Sequence, residues 1–233
     1  MALRNRKQAI TESDNNIFWT TMSDLLLGLA IIFMTLFVLA MTGFTQQNVE
    51  QKKQQMEMGK ELIQKLQEAK INAQVDKMTG DIKISDLDLF EVGSYNLSPR
   101  GKIFLDKFAP IYINTIFSKQ NFVSNIESII VQGHTDSQSY AGIKNPDEQY
   151  LRNMTLSLER ANSVANYILR TNYDKKYNNQ LKKILVVEGK SYSEPVLVNG
   201  KEDFAKSRRV ELRLKAKSLD ILDSLFQKDK QYD

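Results

Sequence analysis

The sequence has no cysteine and a single histidine, His134. Without cysteine there is no disulfide framework, no thiolate metal site and no lipid-anchored cysteine. One imidazole is too few for a histidine-based metal site or a catalytic triad, so no enzymatic activity of that kind and no cofactor held by histidines are expected. Charge of one sign is scarce as well. The net charge is +4 with a pI near 9.0, and the basic residues are spread along the chain. A nucleic-acid surface is therefore not indicated. The most informative scarcity is local: from Ile17 to Phe44 the sequence reads IFWTTMSDLLLGLAIIFMTLFVLAMTGF, and its one ionisable residue is Asp24.

As a helix rising about 1.5 Å per residue, that run is roughly 42 Å long, more than a hydrocarbon core of about 30 Å requires. A carboxylate inside a spanning helix costs roughly 2.5–3.5 kcal/mol on insertion scales and usually faces a partner or an ion path. Asp24 is therefore a candidate ion-binding residue. Two plainer readings stay open. Asp24 lies near the polar flank and could sit at the headgroups, and the basic start Arg4, Arg6 and Lys7 is also that of a signal peptide. Against the latter, Leu25–Met41 exceeds the roughly 7–15 residues of a signal h-region and no small-x-small cleavage site follows. The same basic residues place the N-terminus in the cytoplasm and everything after residue 44 outside it. Thr20, Asp24, Gly28, Ile31, Thr35, Leu39 and Thr42 recur at steps of three or four and share one stripe, the kind of small, weakly polar face that packs against other helices.

Residues 45–80 read as a helical connector rich in Gln, Lys and Glu and free of proline. Val49, Met56 and Ile63 follow a seven-residue step, with Leu62, Leu66, Ala69 and Ala73 behind them, a thin apolar seam compatible with a short coiled coil or with a solvated single helix. Beyond it the pattern is that of an α/β domain over 81–217, with a tail over 218–233. Asp81–Leu89 reads as a strand. Ser98-Pro99 is an N-cap and first-turn proline opening a helix through about Phe117. Ser128–Gly133 is an apolar strand ending in Gly133-His134-Thr135-Asp136. A polar loop over 137–149 precedes a helix from about Asn153 to Arg170, and Ile184–Glu188 and Val210–Leu214 are two further strands. The order βαβαββ implies a sandwich of helices on one face of a mixed sheet.

Gly133-His134-Thr135-Asp136 followed by Asn153-x-x-Leu156-Ser157-x-x-Arg160-Ala161 resembles the signature of OmpA-like peptidoglycan-binding domains. Glu188-Gly189, Pro195, Asn199 and Ser207-Arg208-Arg209-Val210-Glu211 follow in that family's order. Phe18-Trp19 and Ser23-Asp24 at the start of one span resemble the ion-binding helix of MotB stator subunits, which join such a helix to an OmpA-like domain. The short connector is more similar to the MotB-like subunits of Zorya anti-phage systems.

The resemblance implies a peptidoglycan-anchored inner-membrane subunit with a periplasmic domain, present as a homodimer. A five-membered ring of multi-span MotA/ZorA-like subunits would turn around it as Asp24 binds a translocated proton, or sodium. It assigns Asp136 and Arg160 to the diaminopimelate of the stem peptide, with Thr135 and Asn153 beside them. A centre carrying both ammonium and carboxylate calls for an anion and a guanidinium a few ångströms apart, which this pair can supply. An internal Asp136–Arg160 ion pair is the plainer alternative. Leu156 is expected as core support for the site, and His134 as a hydrogen bonder orienting the loop. A flagellar MotB-type stator, a passive wall tether and a TolR/ExbD-like energiser are the competing readings. The last of these lacks the OmpA signature.

Overall fold

A computed structural model describes residues 2–71, 73–91 and 93–217 of the chain, with side chains from residue 18 onward apart from residue 47. The tail expected over 218–233 lies outside the described residues. Two compact units are distinguished, one reaching Val49 and one formed by Glu50–Ser218.

Helix α1 runs Ala2–Glu68 and contains the stretch long and apolar enough to cross a membrane. Within that stretch the hydroxyls turn back on the helix. Thr35 donates to the Ile32 carbonyl at 2.8 Å, and Thr42 to those of Val38 and Leu39 at 2.8 and 2.9 Å. Such back-bonding satisfies a hydroxyl without water or a second helix. Side chains from Phe18 to Gly43 are exposed in the isolated chain, Asp24 among them.

In the second unit, strand β1 (Gln74–Val75) pairs antiparallel with β2 (Ile82–Ser85). In β2, Ile82 and Ile84 point into the core and Lys83 points out, as alternation demands. The expected strand over Asp81–Leu89 is cut short at Ser85. The backbone turns there into a one-turn helix, α2 (Asp86–Leu89), whose acidic Asp86 and Asp88 suit a helix N-terminus. Helix α3 (Pro99–Phe117) opens as its sequence predicts, with the Ser98 side chain accepting from the Gly101 N–H at 2.9 Å. The short α4 (Gln120–Val123) leads into the central strand β3 (Ile126–His134).

Helix α5 (Pro146–Arg170) starts earlier than the residues around Asn153 suggest. Asn145 caps it through the Asp147 N–H at 2.9 Å, Pro146 occupies the first turn, and the polar loop shrinks accordingly. There follow α6 (Asn178–Ile184), β4 (Leu185–Gly189), a small hairpin of β5 (Leu197–Val198) and β6 (Lys201–Glu202), the one-turn α7 (Phe204–Ser207) and β7 (Arg209–Ala216). The main sheet has the order β1-β2-β7-β3-β4. β3 is parallel to β4 and antiparallel to β7, so the sheet is mixed as expected.

The connector behaves differently from the coiled-coil reading. Val49 is 60% exposed and Met56 and Ile63 are half-buried, whereas Met58, Leu62 and Leu66 are buried in the same core as α3, β2 and β7. Steps of four carry the buried face. Gly59 permits the approach: a Cβ there would lie 3.2 Å from the Asp76 and Lys77 carbonyl oxygens. Gln54 accepts from Asn125 at 3.2 Å, and Glu61 is salt-bridged to Lys119 and Lys65. The second half of the connector is thus part of the folded unit.

Leu62→Ala in a fragment spanning residues 50–218 is expected to lose about 2–5 kcal/mol of unfolding free energy by urea titration, the cost of a buried leucine cavity. Ile63→Ala is expected to lose less. The reverse ranking would restore the Val49–Met56–Ile63 seam as the packed face.

Candidate functional site

The site is built where α5 crosses the ends of β3 and β4. A Cβ on Gly133 would lie 1.9 Å from the Ser157 carbonyl oxygen, so only glycine lets the helix backbone rest on the strand. Ser157 is buried within α5. Its hydroxyl donates to Met154 at 2.8 Å and accepts from the Ser191 N–H at 3.0 Å, so it joins helix to loop and does not cap a helix. The Thr135 N–H donates to the Ser191 carbonyl at 2.9 Å, which fixes the chain leaving β3.

Thr135, Asp136, Asn153, Leu156 and Arg160, the five residues read from the motif, line one cavity of about 290 Å³ together with Asp86, Tyr140 and Arg208. Asp136 and Arg160 do not pair with each other. Arg160 is 3% exposed, with Nη1 3.2 Å from Asp86 Oδ1 and Nε donating to the Ser94 carbonyl at 2.9 Å. Its guanidinium also stands over the Phe90 ring, 5.3 Å from the centroid. Asp136 pairs instead with Arg208 Nη1 and accepts the Gln138 N–H at 3.1 Å, while Arg208 Nε approaches Asp86 at 3.9 Å. The result is a chain of alternating charge, Asp136–Arg208–Asp86–Arg160, buried except at the partly exposed Arg208. Asp86 went unread because it falls inside an apparent strand. Arg208 stood in the quoted arginine pair, but nothing in the sequence separates it from Arg209, which turns away to bind Glu211 at 2.6 Å.

The other expected residues take specific places. Asn153 is buried and accepts the Tyr140 hydroxyl at 3.2 Å, holding that ring at the cavity wall. Leu156 is half-buried and lines the cavity, so it is not core support. His134 is fully buried, and neither ring nitrogen has a hydrogen-bond partner, so the hydrogen-bonding role expected of it is not made. Burial, and then Arg209, hold its pKa down to about 4. The Asp86 carboxyl is pushed upward by burial, with Arg160 and Arg208 pulling it back.

Comparison with known proteins bears directly on this arrangement. The OmpA family model matches residues 89–209. The Zorya protein ZorB of the Escherichia coli Crooks strain is 30% identical over 221 residues, covering 89% of this chain and 92% of the relative. The chain belongs to the OmpA family and is of the ZorB type. A second Zorya protein ZorB, from E. coli O139:H28, is 23% identical across 84% of this chain and 79% of that relative. Among solved structures, a MotB-like protein from Desulfovibrio vulgaris shares the fold, with a TM-score of 0.51, 21% identity, and coverage of 74% of this chain and 97% of that one.

Within this OmpA-family fold, charge burial sets two pH responses. A histidine whose folded pKa lies below the unfolded value near 6.5 gives stability that is present above that value and lost as pH falls toward about 4. His134→Leu is therefore expected to flatten the acid side of the pH–stability curve of residues 50–218 by up to about 3 kcal/mol between those limits, read by urea unfolding. An unchanged slope would place the proton uptake elsewhere.

Arg160→Ala removes the partner of a buried carboxylate and is expected to cost about 3–5 kcal/mol at neutral pH. Because Asp86 then titrates still higher in the folded state, protonation relieves the penalty. The loss should shrink as pH falls toward the unfolded aspartate value of about 3.9, since an acid raised on folding destabilises only above its unfolded pKa. A pH-independent loss would mean that packing, and not the Asp86 charge, is what Arg160 supports.

Proposed function

We propose that this chain is the peptidoglycan-anchored B subunit of an ion-driven rotary motor of the MotAB/ZorAB type, acting in anti-phage defence. The observation that carries the reading is a conjunction. A chain of the ZorB type joins a helix fit to span a membrane, with a single carboxylate inside it, to a folded unit whose cavity sets two aspartates against two arginines.

In this reading Asp24 binds and releases the translocated ion, a proton or sodium. The stripe through Asp24 and Gly28 faces a multi-span MotA/ZorA-like partner. A Cβ on Gly28 would meet nothing within 4 Å, which leaves that face open to a close helix neighbour. Five partner subunits would surround two copies of this chain, with the N-termini cytoplasmic and the OmpA-like unit in the periplasm. The cavity would hold the stem peptide of peptidoglycan. Its lining is balanced in charge, which suits a zwitterionic diaminopimelate centre better than a simple anion or cation. Similarity to ZorB proteins along most of the chain favours defence over flagellar motility.

Asp24→Asn keeps size and hydrogen bonding but removes titration. In cells carrying the partner gene, the variant is expected to co-purify with the multi-span partner and to sediment with peptidoglycan while phage protection is lost. Full protection by Asp24→Asn would leave the chain a passive wall tether.

A further inference from the structure

The hairpin of β5 and β6 stands outside the main sheet, and no residue from 190 to 209 joins the hydrophobic core. Its backbone is nonetheless closely specified. Asn199 and Gly200 have φ of 53° and 76°, the left-handed pair that a type I′ hairpin turn requires. The hairpin reaches the chain beside the cavity through Glu202, which is half-buried. Glu202 Oε1 accepts the Ser137 N–H at 3.3 Å, and Oε2 accepts the Ser137 hydroxyl. Among the described residues this carboxylate makes no ion pair, so one serine engages both of its oxygens. Neither Ser137 nor Glu202 lines the cavity. The pair therefore acts on the cavity only through the residues next to it.

Those neighbours are the two members of one ion pair. On the Ser137 side stands Asp136, whose Oδ1 accepts the Gln138 N–H at 3.1 Å and whose Oδ2 meets Arg208. Ser137, Gln138 and Ser139 are all exposed, so apolar packing does not hold this stretch and polar bonds must. On the Glu202 side, the Asp203 N–H donates to the Val196 carbonyl at 2.8 Å, and the Asp203 side chain caps α7 through the Lys206 N–H at 3.1 Å. Ser207 Oγ accepts the Val196 N–H at 3.0 Å, and Arg208 follows at the end of α7. Hairpin and α7 are thus tied into one segment that holds Ser137 at one point and Asp136 at another. We propose that Glu202 is a positioning residue, by which this segment clamps the chain after β3 and fixes where the Asp136–Arg208 pair stands in the cavity. The proposal rests on the wall-binding reading above and assigns to a hairpin without core residues the setting of wall affinity. Without the clamp, the exposed stretch is free to turn, and Asp136 turns with it.

The test is co-sedimentation of the full-length chain, in detergent, with purified peptidoglycan sacculi, beside urea unfolding of the same samples. Glu202→Ala is expected to weaken binding roughly tenfold, the worth of hydrogen bonds to a charged group, with the urea midpoint nearly unchanged. Ser137→Ala removes the hydroxyl from the other side and is expected to lose part of the same affinity. The double variant is expected to bind no more weakly than Glu202→Ala, because the two residues share one interaction. Glu202→Gln keeps an acceptor for the Ser137 N–H, and its amide can donate to the hydroxyl, so it is expected to restore most of the affinity. Native affinity in folded Glu202→Ala overturns the proposal. Losses that multiply in the double variant overturn it too, because Glu202 then acts on the wall and not through Ser137. Should Glu202→Ala fail to fold by circular dichroism, Ser137→Ala at its exposed position carries the test, and native affinity there overturns the proposal. If the native chain does not sediment with sacculi, the wall-binding reading falls and this inference with it.

Discussion

The constraint on which the OmpA-family unit depends is the contact of α5 with the ends of β3 and β4. Two glycines make it possible. Gly133 lies under the Ser157 carbonyl, and a Cβ on Gly189 would come within 2.8 Å of the Leu158 backbone nitrogen. Any larger residue would lift the helix off the sheet. With the helix seated, Ser157 ties it to the loop after β4, and Arg160, one turn further on, is driven inward beneath the cavity. The inward position of Arg160 follows from that contact.

Burying charge is costly, and a mixed quartet with three buried members and a partly exposed Arg208 is the arrangement that limits the cost. Each guanidinium has a carboxylate neighbour, and Asp86 touches both arginines. Replacing such groups with apolar side chains of equal volume often stabilises a fold, so their retention argues for a use beyond stability. The cavity walls support that view. Tyr140 is held by Asn153, and the chain after Asp136 is fastened by the Ser137 hydrogen bonds to Glu202. The charges are thus presented by a rigid frame, with little side-chain freedom left to lose when a ligand enters.

A different economy governs the N-terminal helix. There the backbone satisfies itself, the hydroxyls of Thr35 and Thr42 return to it, and one carboxylate is the single ionisable group along the run from Ile17 to Phe44. A helix of that composition needs little from its neighbours except at the stripe that holds the carboxylate and the glycine. The connector then changes role along its length. Val49 is exposed, whereas Met58, Leu62 and Leu66 are core residues of the folded unit.

Much of this was legible in the sequence. The apolar run, the lone aspartate, the Ser98-Pro99 helix start and the order of the main strands follow from local chemistry, which period and capping report faithfully. The glycine of Gly133-His134-Thr135-Asp136 and the spacing of the motif on α5 pointed to the residues that line the cavity. What only the tertiary structure decided is which charge meets which. Asp136 and Arg160 were read as a pair from proximity in a motif, yet Arg208 and Asp86 arrive from the end of α7 and the start of α2, distant in sequence and brought together by the pairing of Ser85 with Arg209. Likewise, a seven-residue step and a four-residue step coexist along the connector, and the sequence does not rank them. The folded unit does so, because only the Met58–Leu62–Leu66 face finds an apolar surface to cover. Periodicity states which faces a helix has, and the neighbouring elements determine which of them is buried.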